Sequence, residues 1–143
     1  MAKTPQQALA DCQLYTDEIA YIFIKLPPSA IWAGAGVLAE IGEAFCALIA
    51  DKDELTLVMP EDAWEEFQPR LPGAERSATY HLITFDIELE HEMVGFLAAI
   101  AQHLAASKIP VMALSAFSRD HLLVPEQHFD QAWESLVSLR QQT

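Results

Sequence analysis

The residues able to do chemistry are few and widely spaced. The five histidines, His81, His91, His103, His121 and His128, show no His-x-x-x-His spacing on one helix face, so no metal set is expected from them. Cys12 and Cys46 have no neighbouring histidine and no nucleophile motif, and two cysteines are too few for a disulfide framework or a zinc site. Gly34-Ala35-Gly36 lies inside a helical pattern and lacks the glycine and lysine that a phosphate-cradling loop needs. Asp51, Asp53 and Glu54 lack the central glycine and terminal glutamate of a calcium loop, and read as a solvated turn. No catalytic residue, metal or cofactor is expected.

Charge narrows the partners. Eight Lys and Arg stand against 21 Asp and Glu, a net charge of −13, and the basic residues are scattered singly. Neutralising a phosphate backbone or an anionic membrane needs clustered cations, so nucleic acid and membrane partners are excluded. The apolar run 30–42 is broken by Glu40 and by glycines, so no membrane span is expected, and the N-terminus carries no signal-peptide pattern. A cytoplasmic location is the expectation. With 143 residues and 52% hydrophobic content, the chain suits one ordinary domain or two very small ones.

The elements that must position any site repeat. Residues 21–26 are β-branched and aromatic and end at Pro27-Pro28, which predicts a strand. A helix follows from Ser29 to Gly42, weakened by Gly34 and Gly36. Strands are predicted over 45–50 and 55–59, then a helix opened by Pro60-Glu61-Asp62. Residues 68–77, with two prolines, a glycine and two arginines, read as a linker. The order then restarts: a strand over 80–89, a helix over 91–107, strands over 111–114 and 122–124, and a helix opened by Pro125-Glu126. Leu57-Val58-Met59-Pro60-Glu61 matches Leu122-Leu123-Val124-Pro125-Glu126 at an offset of 65, the mark of a duplicated domain. The predicted fold is α+β: two tandem ferredoxin-like modules, 10–69 and 78–141, each an antiparallel sheet with helices on one face.

The run from Val111 through Ser115-Ala116-Phe117-Ser118-Arg119-Asp120-His121 to Glu126 resembles an ACT-domain branch. That branch holds small bacterial tandem-ACT proteins and the eukaryotic CASTOR arginine sensors. Residues 92–100, residues 21–26, and the stretch from Phe45-Cys46-Ala47 to Val58 resemble further parts of its modules. The resemblance implies a non-catalytic regulatory protein that binds a free amino acid where ACT modules meet. The eukaryotic sensors hold four modules and this chain two, which implies a homodimer, with a regulated protein as a further partner. The alternative is an ACT-type dimerisation adaptor that has lost its ligand.

An amino acid's carboxylate needs backbone N–H donors, its ammonium a carboxylate, and its side chain a shaped wall. Under the resemblance, the stretch His91, Glu92, Met93, Val94, Gly95 and Phe96 supplies the donors at a helix start. Ser115, Ala116, Phe117 and Asp120 form the facing strand junction, with Asp120 on the ammonium and Phe117 as wall. Each residue also has a plainer reading. Gly95 permits close packing, Glu90 and Glu92 complement the dipole in the helix's first turn, Asp120 caps a turn, and Phe117 is core.

Overall fold

The computed structural model describes residues 3–142. Among the described residues, five α-helices and eight strands run in chain order. The first part of the chain holds α1 (Pro5–Asp11), β1 (Gln13–Tyr15), β2 (Ala20–Leu26), α2 (Ile31–Ile41), β3 (Ala47–Ala50), β4 (Leu55–Pro60), α3 (Trp64–Phe67) and β5 (Glu75–Arg76). The second holds β6 (Tyr80–Asp86), α4 (Phe96–Ala106), β7 (Met112–Ser115), β8 (Asp120–Pro125) and α5 (Phe129–Gln141). The chain divides into two compact units. One is Ile19–Thr79, and the other joins the chain up to Glu18 with the chain from Tyr80 onward.

In the Ile19–Thr79 unit, β2 pairs antiparallel with β4 and β5, and β3 pairs antiparallel with β4. Alternation sets the inward faces: Ile22, Ile24 and Leu26 on β2, and Leu55, Leu57 and Met59 on β4, are buried with Val37 and Phe67. Each such side chain contributes about 1.5–3 kcal/mol by leaving water. Gly34 brings α2 close to the sheet, since a Cβ there would lie 3.3 Å from Cδ1 of Leu48. The predicted strand over 45–50 starts later, at Ala47. The predicted linker 68–77 is part of the fold: a single 3-10 turn (Gln68–Arg70) and β5, which pairs Ile24 with Arg76 and Lys25 with Glu75. Its prolines and glycine shape a turn that returns the backbone to β2.

In the other unit, β6 pairs antiparallel with β1 and β8, and β8 with β7. Ile83, Phe85, Leu122 and Val124 point to one face, where Phe96, Ile100 and Leu104 of α4 and Ala132 and Leu136 of α5 bury them. The ring of Phe85 meets that of Phe96 edge-on at 5.5 Å. Ala8, Leu9 and Cys12 join this core, so α1 lies on the same face. Neither α1 nor β1 is legible in the hydrophobic pattern. A Thr4–Gln7 capping box starts α1, with Pro5 at its first position.

Two expectations are corrected here. The strand from Tyr80 stops at Asp86, not at residue 89. The helix predicted from His91 begins at Phe96, because Gly95 takes a left-handed conformation, φ +92°, that cannot continue a right-handed helix. Residues 87–95 are instead a loop, held by the amide of Leu89 donating to the carbonyl of Ser118 (2.9 Å) and that of Met93 to Glu90 (3.0 Å). In the Ile19–Thr79 unit the corresponding joint, between β2 and α2, is only residues 27–30.

Candidate functional site

The long joint of residues 87–95 makes a cleft of about 300 Å³ inside the unit that contains α4. One wall is the loop and the first turn of α4: Leu89, Glu90, His91, Met93, Gly95, Phe96, Leu97 and Ala98. The other is the turn between β7 and β8: Ser115, Ala116, Phe117, Ser118, Arg119 and Asp120.

The α4 wall is a donor surface. The first helical bond runs from the amide of Ala99 to the carbonyl of Gly95 (2.9 Å), which leaves the amides of Phe96, Leu97 and Ala98 without helical acceptors. No side chain caps this terminus and its first turn holds no acid. The expectation that Glu90 and Glu92 sit in that first turn is therefore corrected: both lie in the preceding loop, Glu90 on the cleft and Glu92 off it. Gly95 is needed for its conformation. A Cβ there would find its nearest neighbour, Cγ of Pro5, at an ordinary 3.6 Å, so close packing does not explain the glycine.

The turn wall is braced from both sides. The amide of Ala116 donates to the carbonyl of Arg119 (2.9 Å), closing the turn, and the hydroxyl of Ser115 donates to Oδ1 of Asp120 (2.7 Å) across the paired strands. Nε of Arg119 donates to Oδ1 of Asp86 at 2.9 Å, tying the turn to the end of β6. His91 crosses the mouth. Its Nε2 donates to the carbonyl of Phe117 at 2.7 Å, and the two rings meet edge-on at 4.5 Å. Phe117 is 83% exposed, so the reading of it as core is corrected: it stands at a turn tip and forms part of the rim.

Of the residues singled out from sequence, the cleft gathers His91, Met93, Gly95, Phe96, Ser115, Ala116, Phe117 and Asp120. It leaves out Glu92 and Val94; Val94 is 85% exposed. Sequence reasoning did not select Leu89, Glu90, Leu97, Ala98, Ser118 or Arg119. An arginine alone in a short turn, in a chain so poor in cations, was the available signal for Arg119.

Neighbouring groups set the electrostatics. His121, next to Asp120, shares a 2.8 Å hydrogen bond between its Nδ1 and the hydroxyl of Thr84. Burial lowers its pKa from the ordinary histidine value; Asp120 pulls it up and Arg119 pushes it down, both to a lesser degree. Burial also raises the pKa of both thiols, Cys12 and Cys46, which makes them poor nucleophiles, and Cys12 donates to the carbonyl of Leu9. Among the described residues no three His, Cys, Asp or Glu side chains converge as a metal set, and no helix is long and apolar enough to cross a membrane.

In the Ile19–Thr79 unit the turn between β3 and β4 is closed by its own acid. Oδ1 of Asp51 accepts from the amides of Asp53 (2.8 Å) and Glu54 (2.9 Å), which holds its carboxyl below the usual range.

Residues 77–138 match the family model of an ACT domain. A search of the curated proteins finds no match. Among solved structures, the chain is similar to a Vibrio cholerae protein of unknown function at 24% identity, with 92% of each chain covered and a TM-score of 0.71. It is similar to an Agrobacterium tumefaciens protein at 20% identity, covering 90% of this chain and 89% of that one, TM-score 0.69. It is also similar to the regulatory subunit of aspartate kinase from Thermus thermophilus at 13% identity, covering 89% of this chain and 97% of that one, TM-score 0.68. At these identities the likeness is one of fold, and the fold is α+β of the ACT, ferredoxin-like plan.

Proposed function

We propose that this chain is a non-catalytic regulatory protein of two ACT-like modules, whose bounds shift from the expected 10–69 and 78–141 to Ile19–Thr79 and to the unit that joins the chain up to Glu18 with the chain from Tyr80 onward, and that it binds a free amino acid in the cleft at α4. The observation that carries this reading is the opposition of two chemistries across one cleft. Uncapped amides of Phe96, Leu97 and Ala98 face a turn that ends in the carboxylate of Asp120. A zwitterion fits that pair: its carboxylate goes to the helix amides, where the dipole adds to the hydrogen bonds, and its ammonium to Asp120, with Glu90 beside it. Leu89, Leu97 and Phe117 wall the side chain. The ACT match over 77–138 and the fold likeness to a kinase's regulatory subunit support a regulatory role. In this reading the protein works in the cytoplasm as a homodimer, the second copy completes the cover of the cleft, and the signal passes to a regulated protein.

A thermal-shift panel of the twenty amino acids tests it. A ligand at 100 times its Kd adds about 2.7 kcal/mol of native stability, readily seen as a rise in Tm. Silence from all twenty sinks the ligand and leaves the second reading, a dimerisation adaptor, which the 86% exposure of Trp32 favours.

A further inference from the structure

We infer that the cavity at the C-terminal end of α2 binds a small aliphatic ammonium, whose hydrocarbon part fills a hollow that the other unit plugs with its own Ile109. The cavity lies within the Ile19–Thr79 unit and holds about 340 Å³, in the range of small-ligand pockets. Ile19, Ile41, Ala44, Ala63 and Phe67 are its apolar lining. Asp62 and Glu66, both exposed, stand at its mouth with Glu40. The inference does not depend on the amino-acid cleft at α4.

The duplication explains the open space. At the offset of 65, α2 matches α4, β3 matches β7 and β4 matches β8, which makes Ala44 the counterpart of Ile109. Ile109 is 4% exposed and belongs to the core of its unit. Ala44 brings only a methyl group to the same point of the repeat, and it lines the cavity.

The two helix ends differ at the same place. At the end of α4, the carbonyls of Leu104 and Ala105 accept from the amides of Ser107 (3.1 Å), Lys108 (2.9 Å) and Ile109 (3.1 Å). Gly42, which ends α2 with φ +87°, makes no capping bond among the described residues, and the last turn of α2 holds no basic residue. Open carbonyls at a helix C-terminus are acceptors at the negative end of its dipole. An apolar hollow and a set of unused acceptors therefore coincide.

Charge selects the occupant. Glu40 is paired with Arg70, and Glu66 feels the same guanidinium at longer range. Asp62 has no cationic partner among the described residues. Three carboxylates against one guanidinium leave an excess of negative charge at the mouth. The carboxylate of a zwitterion is repelled there, so the ligand differs in class from that of the α4 cleft. A bare hydrocarbon leaves the acceptors unused. An ammonium on a short aliphatic chain meets both demands, donating to carbonyls and carboxylates while its carbons take the place that Ile109 takes in the other unit.

Amide NMR of the full chain, titrated with n-butylammonium chloride at constant ionic strength, tests the inference, with sodium butyrate and n-butanol as controls. The expected result is a saturable shift at residues 41–44 and 62–67, absent at 96–98. Neither control should reproduce it, butanol binding about tenfold more weakly for want of the charge. Ala44→Ile, which rebuilds the plug, should abolish the shift. Asp62→Asn with Glu66→Gln, which keeps the hollow, should raise the Kd about tenfold, and it decides the matter if Ala44→Ile does not fold by circular dichroism. Shifts that do not saturate, that appear equally with either control, or that survive the substitutions overturn the inference.

Discussion

Nε2 of His91 donates to the carbonyl oxygen of Phe117 at 2.7 Å while the two rings meet edge-on at 4.5 Å, so one side chain ties the loop before α4 to the β7–β8 turn. The parallel tie is the backbone bond from Leu89 to Ser118. Together they hold the two walls of the cleft in register. His91→Ala should cost about 0.5–1.5 kcal/mol, the net worth of a hydrogen bond, and should speed hydrogen exchange at the Leu89 amide beyond that global loss. Urea unfolding with exchange mass spectrometry reads both, and unchanged exchange at Leu89 would show that the two ties are independent.

Asp120→Asn should weaken amino-acid binding by tenfold to a hundredfold. The basis is the loss of a charge-assisted hydrogen bond, about 1.5–3 kcal/mol, while the asparagine still accepts from Ser115 and keeps the turn. Titration calorimetry measures it, with circular dichroism as the folding control. Unchanged affinity removes Asp120 from the site.

Gly95→Ala should destabilise the protein by about 1–2 kcal/mol even though a methyl group has room, because the left-handed backbone is what an L-residue resists. Gly95→Asn should cost less, since asparagine tolerates that conformation better. Denaturant midpoints decide, and equal stability of all three proteins would refute the conformational account.

Gly36→Ala should raise the stability of the isolated chain by about 1 kcal/mol, the helix-propensity difference, since its Cβ would sit at van der Waals distance from Arg70. The measurement is a urea melt at nanomolar concentration, where association does not contribute. A destabilised variant would mean that Gly36 is packed within its own chain.

Stability should fall as pH drops below about 6.5. The folded state lowers the pKa of His121, so the unfolded chain binds the extra proton first. The loss starts at the unfolded value, grows as pH falls towards the lower folded value, and levels off beneath it. His121→Gln should flatten that limb of the Tm-against-pH curve. A limb of unchanged slope would assign the dependence to other groups.

The sequence by itself determined the two-fold order of strand, helix, strand, strand, helix and the faces that are buried. Ile22, Ile24 and Leu26, or Leu122 and Val124, carry that information locally, since alternation along a strand is a property of neighbouring residues. The net charge of −13 was equally legible, because charge is additive along the chain. Tertiary structure decided where α4 begins, since Met93 and Leu97 keep helical spacing across a glycine whose left-handed turn ends the pattern. It also decided that the chain up to Glu18 packs with residues beyond Tyr80, which α1 does by burying Ala8 and Leu9 in that core. Residues of both walls of the cleft, 91–96 and 115–120, were named from sequence, but the ties that hold the walls together belong to this second category. Asp86 meets Arg119 and Leu89 meets Ser118 across about thirty residues of sequence, and such pairings exist only after β6, β8 and α4 have assembled.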